Sequence, residues 1–425
     1  MHIRGYLTPA PELAPTTEEA TSSAAEAVRI TAEPEFCPNA ACRFHDRKEA
    51  AEYQWYIRFG SFHTRCRGSI GRFRCTGCGK TCSTQTFSVH YWSHATNDLL
   101  WLLEHLYGCT GLRQIARYAG VTHRVVQNRI RRLARGALAV MDLALGELAL
   151  TENLAMDGFE SYTRSQYHPN NITHITGSRS QFIYAAIATL LRRKGAMSER
   201  QKRTRSLIES LWRPPRPVRS DCTALLGDLC SVIESACERL GSLRLATDRH
   251  RGYPAALASV EALRRQLAAG RLEHHCTSSR AARTSANALF AVNYVDREIR
   301  KSMSEHVRET VRQGRELNCQ MERMAIFMVV HNFLTPHRID GRSRAALSST
   351  RAQVAEVTSD AVRRQLERMV THRHVCSHLR GGYEWIERIW GHRYENPPAV
   401  RLVNGELRAR SVALGPGELP QYLVV

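Results

Sequence analysis

The chain reads as an α/β multidomain protein: a mixed five-stranded sheet flanked by helices, preceded by a small cysteine-rich module and a pair of crossing helices. Three features of the sequence carry this reading. Cysteine, glycine and aromatic residues concentrate in 35–92 among short alternating runs such as Tyr53–Phe59. Apolar residues over 96–140 recur at helical spacing. From about residue 150 onward, short apolar runs of strand length alternate with helical stretches, the pattern of a sheet covered by helices.

At 425 residues the chain has room for about two to four domains, and 43% hydrophobic content supplies real cores. The net charge is +20, from 60 Lys+Arg against 40 Asp+Glu. Such an excess favours a partner of dense negative charge, nucleic acid first. Thirteen cysteines is an odd number, and the start MHIRGYLTPAPELAP lacks the apolar core of a secretory signal. No aliphatic run approaches the roughly 18 residues of a membrane span. A reducing, cytoplasmic setting is therefore expected, with no membrane partner, and there paired cysteines point to metal rather than to disulfides.

Residues 1–34, rich in Ala, Pro, Thr and Glu without periodicity, are expected to be a disordered lead-in. The module at 35–92 is too poor in apolar residues to stand without a staple. Cys37 and Cys42 in FCPNAAC and Cys75 and Cys78 in FRCTGCGKTC form two close pairs. Two such knuckles can converge as four thiolates in the tetrahedron that Zn²⁺ prefers, which makes the module a zinc ribbon with a structural ion. Gly77 and Gly79 allow the tight second knuckle, and Cys66 and Cys82 are spare.

Over 93–145 the stretch GLRQIARYAGVTHRVVQNRIRRLA reads as a helix-turn-helix. Gly120 ends a first short helix, and Thr122 caps a second whose buried face is Val125, Val126 and Ile130. Its other face carries His123, Arg124, Gln127, Asn128, Arg131 and Arg132, residue types that read base edges in a major groove. A second basic stretch, 192–219, is broken by prolines and is expected as an exposed insertion, with Arg203 and Arg205 on DNA phosphates.

Five runs are expected as strands: Asn153–Phe159, Ile172–Gly177, Phe182–Leu190, Leu243–Asp248 and Arg271–His275. Asp157 interrupts the first, and a carboxylate inside a strand needs compensation that a metal ion would provide. Asp248 ends the fourth. Glu322 is the one acid in Cys319–Phe333, a helix apolar nearly all round; Glu316 and Glu309 are its rivals. Two strand acids and a helix acid meeting at one sheet edge would make 146–335 an RNase H-like phosphoryl-transfer core. Oxygen ligands there select Mg²⁺ or Mn²⁺, two ions for an in-line displacement.

Taken in order, FRCTGCGKT, IARYAGV, MDGFES, TDRHRGYP, SSRAARTSANALFAVNYVDREIRKSMSEHVRET and MERMAIFMVVHNF resemble the DDE transposases of bacterial insertion sequences, over roughly residues 35–335. The resemblance implies that Asp157, Asp248 and Glu322 are the catalytic triad and that Cys37, Cys42, Cys75 and Cys78 hold zinc. It implies binding of terminal inverted repeats and target, both double-stranded DNA, by a homodimer or higher assembly in the cytoplasm at the nucleoid. Residues 336–425 form a helical, basic extension. The rival readings are a transposase-derived DNA-binding regulator without strand transfer and an RNase H-like nuclease.

Overall fold

A computed structural model describes residues 34–93, 98–214, 216–278, 280–307, 312–337, 349–375, 378–379, 399–403 and 406–410. The expected lead-in, apart from residue 34, lies outside the described residues, as does most of the extension beyond 379.

The first module opens with a 3₁₀ turn, Arg43–His45, between the first cysteine pair (Cys37 and Cys42) and α1 (Arg47–Glu52). Asp46 caps α1 by accepting the backbone N–H groups of Lys48 and Glu49. Three antiparallel strands follow in the order β1 (Tyr56–Thr64), β2 (Gly68–Cys75), β3 (Thr81–Ser83). Their small core gathers Phe36, Phe44, Trp55, Phe73 and Phe87 around the cysteines.

Next come α2 (Leu99–Tyr107), α3 (Leu112–Tyr118) and α4 (His123–Gly146). Gly120, at φ +61°, takes the left-handed position after α3. The Val121 and Gly120 N–H groups return to the carbonyls of Ala116 and Arg117, the paired bonds that close a helix end. Thr122 does occupy the N-cap of α4, but its side chain makes no capping hydrogen bond. Beyond its first turns α4 is buried on most of its surface: Ile130, Leu133, Ala137, Met141 and Ala144 are all at or below 3% exposure.

The main sheet is built from a meander, β4 (Leu154–Tyr162), β5 (Pro169–Gly177) and β6 (Ile183–Leu190), each antiparallel to the next. Helices α5 (Glu199–Leu211), α6 (Val218–Asp228) and α7 (Cys230–Leu240) then lead to β7 (Leu243–Asp248), which lies parallel to β4. Helices α8 (Gly252–Ser259) and α9 (Glu261–Ala268) lead to β8 (Leu272–Thr277), parallel to β7. The order is β6-β5-β4-β7-β8, a mixed five-stranded sheet flanked by helices, as expected. All five strands fall where the apolar runs place them. β6 is buried along its whole length because α6 packs on it and α11 does too, so its sequence is a continuous apolar run rather than an alternation.

After the sheet come α10 (Phe290–Ser302), α11 (Leu317–Val329), which passes into a π turn at Val330–Leu334, α12 (Arg351–Val354) and α13 (Asp360–Met369). A hairpin, β9 (Ala399–Val403) with β10 (Glu406–Arg410), completes the described chain. The basic stretch 192–219 is not a plain loop, since it contains α5, capped reciprocally by Ser198 and Gln201. The helices of 99–146 and the sheet share one hydrophobic cluster running from Val89 to Met369, so no break in packing falls at the expected boundary near 145.

Candidate functional site

Strand register brings two of the expected acids together. Met156 of β4 lies opposite Thr247 of β7, so the next residues, Asp157 and Asp248, stand side by side where β7 ends. Asp157 Oδ1 accepts the Gly158 N–H at 2.8 Å and the Tyr253 hydroxyl, from α8, at 3.3 Å. Burial pushes the Asp157 carboxyl up to about 6. The Gly158 N–H opposes the shift, and the charges of Asp296 and Asp248 add to it. Asp248 also shapes its own turn, accepting the backbone N–H of His250 at 2.7 Å.

The third acid at this place is Asp296 of α10, not Glu322. His174, opposite Asp157 in the β4–β5 register and wholly buried, puts its Nε2 2.9 Å from Asp296 Oδ1. Its Nδ1 is 2.8 Å from the Thr176 hydroxyl. Donation from Nε2–H to the carboxylate leaves Nδ1 to accept from Thr176, which fixes one tautomer.

Glu322 sits elsewhere. It is buried on α11 and faces α4, where Arg131 Nε lies 3.5 Å from its carboxylate. That nitrogen finds no hydrogen-bond acceptor among the described residues, so the pair is Coulombic only. Burial outweighs the nearby arginines 131, 135 and 323 and pushes Glu322 up to about 7. The sequence criterion found a buried acid, but one buried against a cation. Of its two rivals, Glu316 stands at the N-cap of α11, and Glu309 lies outside the described residues. A signal for Asp296 was present. On α10 the buried residues Val292, Val295 and Ile299 mark the inward stripe, and position 296, four after 292, lies on it. His174 and Tyr253 carried no comparable signal.

The cysteine quartet converges as expected. Cys37, Cys42, Cys75 and Cys78 place their sulfurs within 4.8 Å of one another, the one group of three or more potential ligands that close among the described residues. The three acids are not gathered so tightly. The Cys37–Cys78 and Cys42–Cys75 sulfur separations are 3.6 and 3.7 Å. A zinc tetrahedron with bonds of about 2.3 Å has edges of about 3.8 Å, so the four thiols fit such an ion. Both knuckles are held by backbone: Cys37 N–H donates to the Phe44 carbonyl and Gly79 N–H to that of Cys75. Gly79 has φ +71°, and a Cβ on Gly77 would come within 2.8 Å of the Phe44 ring. Of the spare thiols, Cys66 is exposed. Cys82 is buried beside the quartet, and burial, with Cys75 and Cys78 adding, pushes it up to about 12.

The expected reading face of α4 is divided. His123 and Arg124 are exposed and Asn128 is half-buried. Gln127 instead points to the Cys319 sulfur of α11 at 4.0 Å, Arg131 to Glu322, and Arg132 donates to the Val89 carbonyl at 2.8 Å. Gln127 and Arg131 are engaged by the chain itself because α11 packs along that side of α4, and Arg132 because the segment at Val89 lies against it. On α5, Arg203 is exposed, whereas Arg205 is held by Glu209 at 3.3 Å and by the Arg193 carbonyl.

No protein-family model matches the chain, and no similar curated protein was found. Among the described residues no helix is long and apolar enough to cross a membrane.

Proposed function

We propose that the chain is a transposase of an insertion sequence that binds double-stranded DNA ends and cuts and joins strands. In this reading the sheet is an RNase H-like catalytic core, the cysteine module a zinc ribbon, and α3–α4 a helix-turn-helix. The observation that carries it is the meeting of Asp157, Asp248 and Asp296 on two adjacent parallel strands and one covering helix. Asp296 takes the role the sequence suggested for Glu322. The +20 charge supports a nucleic-acid partner.

Oxygen-only donors suit Mg²⁺ or Mn²⁺, and a divalent cation would compensate the burial, with the neighbouring acids, that lifts Asp157. When bound, such ions would stabilise the attacking and leaving oxygens of an in-line displacement. Asp157, Asp248 and Asp296 would hold them. The chain's own part is orientation: Tyr253 and the Gly158 N–H fix one oxygen of Asp157, and His174 fixes one of Asp296. Two element ends call for two active copies, hence a homodimer or larger assembly, acting in the cytoplasm at the nucleoid.

The test is cleavage of labelled DNA from the flanks of the coding sequence, with Mg²⁺ and Mn²⁺. Nicking at inverted repeats that is lost in Asp157→Asn and Asp296→Asn supports the proposal. Tight repeat binding without nicking by the unaltered protein would leave a DNA-binding regulator, and cleavage confined to RNA–DNA hybrids would leave a nuclease.

A further inference from the structure

The hairpin β1–β2 turns an apolar, aromatic face to solvent, although its module is small and has few apolar residues to spare. Ile57, Phe59 and Phe62 are 44%, 40% and 40% exposed. In a regular strand Phe59 and Phe62, three residues apart, would face opposite ways. The register shifts between Arg58, which pairs with Phe73, and Ser61, which pairs with Gly71. Phe59 and Gly60 therefore stand together against Arg72, and Gly60 takes φ +77°. This bulge restores the phase, so Phe62 joins Ile57 and Phe59 on one face. Arg72 and Arg74, two apart on β2, share that face and lie over the Phe59 ring at 5.4 and 4.6 Å.

The charge of the segment that holds the hairpin is one-sided. Between Glu52 and Asp98 the sequence has no acid, while it carries Arg58, Arg65, Arg67, Arg72, Arg74 and Lys80. Exposed aromatic rings interleaved with arginines, in a segment free of acids, match the chemistry of a nucleic-acid strand with unstacked bases. Bases stack on the rings irrespective of sequence, and arginines follow the phosphates. In a duplex the bases stack on one another, so rings reach them only by prying a step apart at a cost of a few kcal/mol; a splayed single strand carries no such cost. A protein partner would be met by apolar surface but would not account for the uniform charge.

We propose that the β1–β2 face is a stacking platform for single-stranded nucleic acid, separate from the carboxylate cluster and not dependent on its role. The rings are not part of the module's buried core; zinc content and thermal unfolding check that replacing them leaves the fold in place.

The experiment uses full-length, zinc-loaded protein with a labelled thymidine oligomer of about 12 nucleotides and a duplex of equal length, at two salt concentrations. Phe59→Ala with Phe62→Ala should lower oligomer affinity at least about tenfold, with duplex affinity changed by less than about twofold. The salt slope should hold, because stacking releases no counterions. The Tyr pair at both positions should bind the oligomer nearly as the native protein does. Arg72→Gln with Arg74→Gln should make the slope shallower by about one unit per lost contact. Asp157→Asn should bind the oligomer unchanged, so a failure of the catalytic proposal leaves this one standing. Unchanged oligomer affinity in the Ala pair, or an equal loss on both DNAs, overturns the proposal. Altered self-association in the Ala pair with oligomer binding intact would also overturn it, making the face a protein interface.

Discussion

His174 and Asp296 are bonded side chain to side chain at 2.9 Å, across 122 positions of sequence, beside the strand that carries Asp157. The bond orients a carboxylate that α10 alone would leave free to rotate. His174→Ala should lower kcat for strand cleavage about 10–100-fold and raise the Mg²⁺ concentration needed for half-maximal rate, with KM for DNA little changed. His174→Asn, which keeps a donor, should recover part of the loss. Equal loss in both variants at unchanged Mg²⁺ dependence would reduce His174 to a packing residue.

Asp157→Asn, Asp248→Asn and Asp296→Asn should each abolish cleavage while leaving duplex binding nearly intact, since binding rests on the basic surface. Glu322→Gln should cleave within a few-fold of the native rate. Nicking by Asp296→Asn at native rate would return the third role to α11.

Glu322 predicts a pH effect on stability. Its folded-state value, about 7, lies above the ordinary 4.5, so the folded form holds the proton more tightly than the unfolded chain does. The resulting stabilisation is complete below the ordinary value and fades as pH rises through about 7. Asp157 adds a slope of the same sign ending near pH 6. The stability of Glu322→Gln relative to the native protein should therefore improve by order of 3 kcal/mol between low and neutral pH. Thermal unfolding midpoints of the two proteins across pH 4–8 measure this; a constant difference would show that Arg131 keeps Glu322 ionised throughout.

One zinc per chain is expected by elemental analysis. Chelation should unfold the β1–β3 module and leave the Val89–Met369 cluster folded, because the module's core is small and built around the four thiols. Cys75→Ser and Cys78→Ser should lose the ion; Cys66→Ser, at an exposed thiol, should not.

DNA recognition should rest on the exposed start of α4. Arg124→Ala and Asn128→Ala should weaken cognate duplex by about 1–3 kcal/mol and random duplex little. Gln127→Ala and Arg131→Ala should instead show as stability losses, since those side chains meet α11. Arg203→Ala should weaken both duplexes alike and reduce the salt slope by about one. Competition binding at two salt concentrations separates these classes.

The strands were legible because each is an apolar run bounded by turn residues, and the quartet because thiol pairs at short spacing have few other uses in a reducing setting. Asp296 was not, because DREIRK looks like a solvated helical face unless Val292, Val295 and Ile299 are first recognised as the inward stripe. Glu322 drew attention for the reverse reason: an apolar helix shows that an acid is buried but not what it is buried against. Gln127 and Arg131 show the same limit, since each meets α11. The local pattern marks them as the polar side of α4, and only the distant α11 decides that these two are covered.

Helix α4 has 24 residues, about 36 Å at the usual rise. Its first residues, His123 and Arg124, are exposed, and its later turns are buried against α11 and α13. It contains no proline, and its one interior glycine, Gly136, is packed against Met369. A duplex seated on His123 and Arg124 would thus be gripped by a helix that shares one hydrophobic cluster with the carboxylate-bearing sheet. Such a rod acts as a ruler. The distance from the sequence that is read to the bond that is cut would be set by a single helix, and shifting the read sequence by one base pair should shift the cut by one.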